Sequence, residues 1–192
     1  IEKEKVVAKI IEKLETQTES NVEIDLYQGL PKADKMELII QKTTEIGVSK
    51  VIPVDMARCI VKLDEKDAKK KLERWQKVAE GAAKQSKRSK IPEIENKIKI
   101  KDLENIIGQY DTFIVAYEEE SEVTLKQELK KLKEQEKYKI GVLAGPEGGI
   151  AKEEIEKLIQ YNSKIVTLGK RILRTETAPI VLTSNIIYEL EK

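Results

Sequence analysis

Two segments hold the residues whose types and spacing could carry chemistry, and both follow a continuous apolar run. The first is LAGPEGGI, residues 143–150. Its three glycines and Pro146 let the backbone turn sharply and come close to a ligand. A helix predicted over 152–160 would add the free N–H groups of its first turn. Ligands of open α/β sheets bind at such carboxyl ends of strands. The alternative is a plain strand-to-helix turn. No Gly-Lys-Ser/Thr ending and no G-x-G-x-x-G spacing is present, so the loop is not built for a pyrophosphate. Main-chain contacts to a nucleoside remain open to it.

The second segment is TLGKRILRTETAP, residues 167–179. Lys170, Arg171, Arg174 and Glu176 stand beside the apolar Ile172 and Leu173, which are expected to be buried. Charged groups interleaved with apolar ones at a strand end suit a flat, polar ligand. The bland alternative is a capped connection with solvated charges, but the stretch is long for a simple crossover. Thr177 is placed to cap the helix that follows, and Pro179 suits its first turn. A third stretch, AKQSKRSK (83–90), carries Lys84, Lys87, Arg88 and Lys90 without an acid. It could hold RNA phosphates, or it could be a solvated helix end whose cations favour the C-terminus.

These segments need elements to hold them. Residues 22–30 alternate apolar and polar as a strand, and 36–46 have helical spacing closed by Gly47. A strand over 49–55 precedes a long helix over 67–86, with Ala68, Leu72, Trp75, Ala79 and Ala82 on one face. Trp75 reads as core and Cys59 as a small packed residue. Then come a short strand (91–94), a short helix (100–107), a buried strand (112–117), a helix (124–135) and a second buried strand (139–145). The helix over 152–160, a third buried strand (164–169) and a closing helix (178–191) complete the pattern. Continuous apolar strands separated by helices imply an α/β fold with a parallel sheet covered on both faces.

Composition narrows the chemistry. Apolar residues make up 40% of the chain, enough for a core despite 37% charged residues. The formal net charge of +1 provides no global field for nucleic acid, so an RNA surface must be a local patch. The chain has no histidine, which excludes Ser-His-Asp and Cys-His nucleophile pairs and every His-ligated metal site. One cysteine excludes an internal disulfide and a cysteine-clustered zinc site, and fits a reducing cytoplasm. No apolar run approaches the roughly 18 residues of a membrane span. The first residues, IEKEKVVAKII, do not read as a signal peptide. Residues 1–21 read as a strand and a polar linker, the tail of an N-terminal domain.

GPEGG followed by LGKRILRTETAP resembles the ribosomal RNA small subunit methyltransferase E family. MELIIQKTTEIGVSKVIPV (36–54), RCIVK (58–62), ERWQKVAEGAAKQSKR (73–88) and IPEI (91–94) resemble further family features in the same order. The resemblance covers residues 22–192 and implies a SPOUT domain, a parallel α/β sheet whose C-terminal part forms a trefoil knot. It makes residues 1–21 the remnant of a PUA-like RNA-binding barrel. It implies methyl transfer from S-adenosylmethionine to N3 of a uridine in small-subunit (16S) ribosomal RNA, with the assembled subunit as the expected substrate. It also implies a homodimer and no metal.

Carried onto this chain, the resemblance puts the cofactor on three loops. Tyr117 and Glu118 mark the first. Leu143, Ala144, Gly145, Glu147 and Gly148 form the second, and Leu168, Gly169, Ile172, Leu173 and Ala178 the third. Adenine would rest among Leu143, Leu168 and Leu173, held by main-chain groups of Gly145, Gly169 and Ile172. Arg174 and Glu176 are the candidate catalytic residues, with Glu147 as the alternative carboxylate. Lys84, Lys87, Arg88 and Arg171 are the candidate RNA contacts. The chain departs from the family pattern at Lys170, where proline is usual, at Cys59, where serine is common, and at Ala151, where a Ser/Thr cap is common. The competing reading is a non-catalytic RNA-binding protein on a SPOUT-like scaffold.

Overall fold

A computed structural model describes residues 8–12 and 18–192. Strands β1 (Val22–Gly29), β2 (Lys50–Asp55), β3 (Glu93–Ile94), β4 (Ile98–Lys99), β5 (Thr112–Ala116), β6 (Tyr138–Ala144) and β7 (Lys164–Val166) form one sheet. Its order is β3-β2-β1-β6-β5-β7, with β4 also on β2, and every pairing is parallel. Helices α1 (Lys35–Ile46), α2 (Glu65–Gln85), α3 (Leu125–Leu129) and α4 (Lys152–Gln160) lie between strands, and α5 (Thr177–Leu190) follows β7. Two 3₁₀ turns, Ile100–Asn105 and Ile107–Gln109, precede β5.

The central strands are β1, β6 and β5. Ile24, Leu26, Ile114, Ile140 and Val142 are fully buried there, as continuous apolar strands covered on both faces must be. Gly141 lets the Phe113 ring lie against β6; a Cβ there would stand 2.3 Å from the ring. Helices α1, α2 and α5 pack together, and α5 returns from edge strand β7 to lie on β1 and β6 in the middle of the sheet. The connection that carries it there, residues 167–176, therefore crosses the carboxyl ends of the strands. That crossing places the site.

Several elements differ from expectation. Residues 8–12 have no regular structure, and the rest of the strand expected there lies outside the described residues. The strand over 22–30 does not alternate in burial. Asp25 and Gln28 are buried because β1 has neighbours on both edges and cover on both faces. The helix at 100–107 is 3₁₀ in character. The helix expected over 124–135 stops at Leu129, where the cationic run KKLK offers one apolar residue to pack. The strand over 164–169 ends at Val166, since Thr167 bridges to Thr124 and the chain then leaves the sheet. Thr177 is the first residue of α5 rather than its cap, and Glu176 at the cap position makes no side-chain capping bond. Trp75 and Cys59 are buried in the core.

A cleft at the carboxyl ends of the strands

Three loops meet where β5, β6 and β7 end. They border a cleft with a cavity volume of about 140 Å³. Tyr117 and Glu118 form one wall, the loop Gly145–Gly149 a second, and the strap Thr167–Thr175 a third, with Ala178 of α5 behind it. Among the described residues no group of His, Cys, Asp and Glu is arranged to hold a metal ion. No helix among them is long and apolar enough to cross a membrane.

The backbone explains the glycines. Gly149 has φ +71°, and a Cβ there would stand 1.8 Å from Glu118 Oε1. Gly169 has φ +122° and open space around it, so the strap turns into the cleft without a side chain in the way. Behind the loops is a buried polar hub. Thr175 Oγ1 donates to the Gly145 carbonyl at 2.8 Å, and Gln28 Nε2 donates to the same carbonyl and to Thr175 Oγ1, both at 3.3 Å. One side chain of β1 thus fixes both the glycine loop and the strap. Arg58, on the loop after β2, donates to the Gly148 carbonyl at 3.1 Å. Glu154 accepts from Ala57 N–H at 2.8 Å and from Ala151 N–H at 3.2 Å, standing in for the side-chain cap that Ala151 cannot supply.

The cleft is charged. Glu147 accepts from the Lys32 N–H through both oxygens, at 3.1 and 3.3 Å, and pairs with Lys35 at 3.0 Å. Lys35 also stands 3.2 Å from Glu176 Oε2. Burial opposes ionisation of Glu147, but hydrogen bonds from its own and the Lys32 backbone, and from Lys35, outweigh it. Its carboxyl therefore sits below the ordinary range. The Lys35 ammonium is raised chiefly by its hydrogen bond to Glu147. Burial, with help from the Glu119 carboxylate, pushes the Tyr117 phenol up to about 12.

Of the expected cofactor residues, Tyr117, Gly145, Glu147, Leu168, Gly169, Ile172, Leu173 and Ala178 line the cleft, as does Arg171. Leu143 and Ala144 do not, because they belong to central strand β6 and have no exposed surface. Gly148 faces away, against Arg58. Ile172 is not buried but 83% exposed at the cleft's lip. Arg174 and Glu176 flank the cleft without lining it. Arg174 is exposed, and Glu176 is turned toward Lys35.

Lys84 and Lys87 are exposed, but Arg88 is not available to a phosphate. Its side chain, 6% exposed, pairs with Glu19 at 2.7 Å and donates to the Thr44 and Val48 carbonyls. Sequence reasoning missed Gln28, Lys35, Arg58 and Thr175. Thr175 and Arg58 lie within motifs that carry the family resemblance; Gln28 and Lys35 sit far away in sequence and carry no local signal.

The model of the RNA methyltransferase domain family matches residues 18–187, which defines the class of protein that this fold and cleft represent. The ribosomal RNA small subunit methyltransferase E of Bacillus subtilis (strain 168) is 39% identical over the whole chain, which spans 75% of that protein. The chain belongs to the ribosomal RNA small subunit methyltransferase E family. Among solved structures, a methyltransferase of Legionella pneumophila in complex with the cofactor SAM matches with a TM-score of 0.85 and 29% identity, over 93% of this chain and 71% of that one. The family's enzyme from Neisseria gonorrhoeae, bound to S-adenosyl methionine, matches with a TM-score of 0.78 and 31% identity, over 90% and 68%.

Proposed function

We propose that the chain transfers a methyl group from S-adenosylmethionine to N3 of a uridine in small-subunit (16S) ribosomal RNA. The observation that carries this reading is the three-loop cleft at the strand ends, walled by glycine backbone and by half-buried Leu168 and Leu173. A nucleoside fits such walls: apolar side chains face a flat base, and main-chain groups reach its edge. The relatives solved with the same donor support it.

When bound, the donor supplies a methyl group already activated by its sulfonium. The chain's residues then orient the uracil and manage one proton. N3 of uracil is protonated at neutral pH, and a positioned carboxylate would take that proton. Glu176 is the candidate for that role and Glu147 the alternative. Arg174, beside the cleft, would stabilise charge growing on the uracil carbonyls. Arg171 and the exposed Lys84 and Lys87 would meet RNA phosphates.

The same reading takes the strap and α5 as the threaded part of a trefoil knot, and residues 1–21 as the remnant of a PUA-like barrel before the domain 22–192. It takes the working unit as a cytoplasmic homodimer acting on the assembled subunit. Methyl transfer to small subunits lacking the mark, with the product nucleoside identified by mass, tests the reaction. Arg174→Ala and Glu176→Ala should each lower turnover by about 100-fold. Wild-type turnover in both would remove those assignments. RNA binding with no affinity for the donor would favour the non-catalytic reading instead.

A further inference from the structure

We infer that Lys35 is a positioning residue of the cleft: its ammonium holds Glu147 of the glycine loop and Glu176 of the strap together and fixes where their negative charge stands. The inference rests on the methyltransferase reading above and assigns a role to a residue outside both sequence motifs.

Three separate elements converge on one atom. Lys35 is the first residue of α1, Glu147 belongs to the loop after β6, and Glu176 precedes α5. The Lys35 Nζ lies 3.0 Å from Glu147 Oε1 and 3.2 Å from Glu176 Oε2, and that Glu176 oxygen is shielded from solvent. Helix stability does not explain the lysine. A cation in a first turn opposes the helix dipole, and α1 has no side-chain cap to offset it. Its favourable interactions are with the two carboxylates.

One cation between two carboxylates leaves this three-residue cluster with one net negative charge. That charge suits a cationic donor and a proton leaving uracil N3. Without Lys35 the carboxylates repel each other, and one must swing away or take up a proton. The other charged groups bordering this end are Lys32, Arg58, Glu118, Lys170, Arg171 and Arg174. Among the described residues, none of these cations makes a side-chain ion pair with Glu147 or Glu176.

The test compares wild type, Lys35→Met and Lys35→Arg in methyl transfer from S-adenosylmethionine to small subunits lacking the mark, as a function of pH. Removing the cation raises the Glu147 pKa, so the pH below which turnover falls should move upward in Lys35→Met. Turnover at neutral pH should drop about tenfold, with the donor KM changed less than about threefold, and Lys35→Arg should restore both. An unmoved acid limb overturns the inference, as does an arginine variant no better than methionine. Lys35→Gln replaces the methionine variant if the latter does not fold. Carbon-13 titration of the glutamate carboxyls gives a readout apart from activity: Glu147 must titrate higher without Lys35. Wild-type protein that transfers no methyl would sink the functional reading, while the titration would still decide whether Lys35 governs the carboxyls.

Discussion

The two ends of the sheet are each held by a cation shared among partners, and they are built to different standards. At the amino ends of the strands, Arg88 is almost fully buried and both of its terminal guanidinium nitrogens have partners. It closes the carbonyls at the end of α1 and binds Glu19. Glu19 in turn accepts from the backbone of Ser89 and Lys90. Burial opposes its ionisation, yet these bonds hold its carboxyl below the ordinary range. At the carboxyl ends, Lys35 faces two carboxylates, is 30% exposed, and leaves a negative charge over. A balanced, satisfied group belongs to the scaffold, whereas an unbalanced and accessible one is available for chemistry.

The contrast breaks most readily at Arg88. Arg88→Ala should cost about 3–4 kcal/mol of stability, because it strands a carboxylate and the α1 carbonyls together. Denaturant unfolding measures the loss, and donor affinity of the folded protein should stay within about twofold, since the cleft lies at the other end. A loss below about 1 kcal/mol would make the latch no different from a surface pair.

Asp25, between the two ends, sharpens the rule. It is buried, accepts from the Tyr110 hydroxyl at 2.9 Å, and its Oδ1 has no partner among the described residues. Burial raises its carboxyl above the usual range, against the opposing Tyr110 hydrogen bond. The folded state therefore prefers the protonated form. The resulting penalty is absent below the unfolded value and complete above the folded one. Asp25→Asn should stabilise the protein at pH 7, with a gain that fades as pH falls toward the ordinary aspartate range. A gain independent of pH would contradict this account.

The smallest effect belongs to the exposed cations. Lys84→Gln and Lys87→Gln should each lower the slope of log K against log salt for RNA binding by about 1. An unchanged slope in both would leave that surface as solvated charge.

The sequence made the layered α/β architecture legible because its strands are short apolar runs bounded by glycine and charge. The α4 pattern, KEEIEKLIQ, matches the helix Lys152–Gln160 residue for residue. The glycine loop and the strap were legible as neighbours of strand ends, and the structure brings them into one cleft. What stayed hidden depends on strand order. Nothing in the local pattern says that β1 lies beside β6, so Gln28 could not be linked to Gly145, nor Lys35 to Glu147 and Glu176. Arg88 was misread for a related reason. A basic run looks the same whether its arginine meets water or closes the end of another helix, and the acid that claims it lies at position 19.

Cys59 gives the molecule a built-in reporter. Its thiol is buried, takes a contact from the Met56 N–H and points at the Val54 carbonyl, and burial pushes its pKa up. As the chain's lone thiol, it can be alkylated at a rate set by opening of the segment that carries Arg58 against Gly148. A maleimide clock would then time the breathing of the cleft's outer rim without an introduced cysteine.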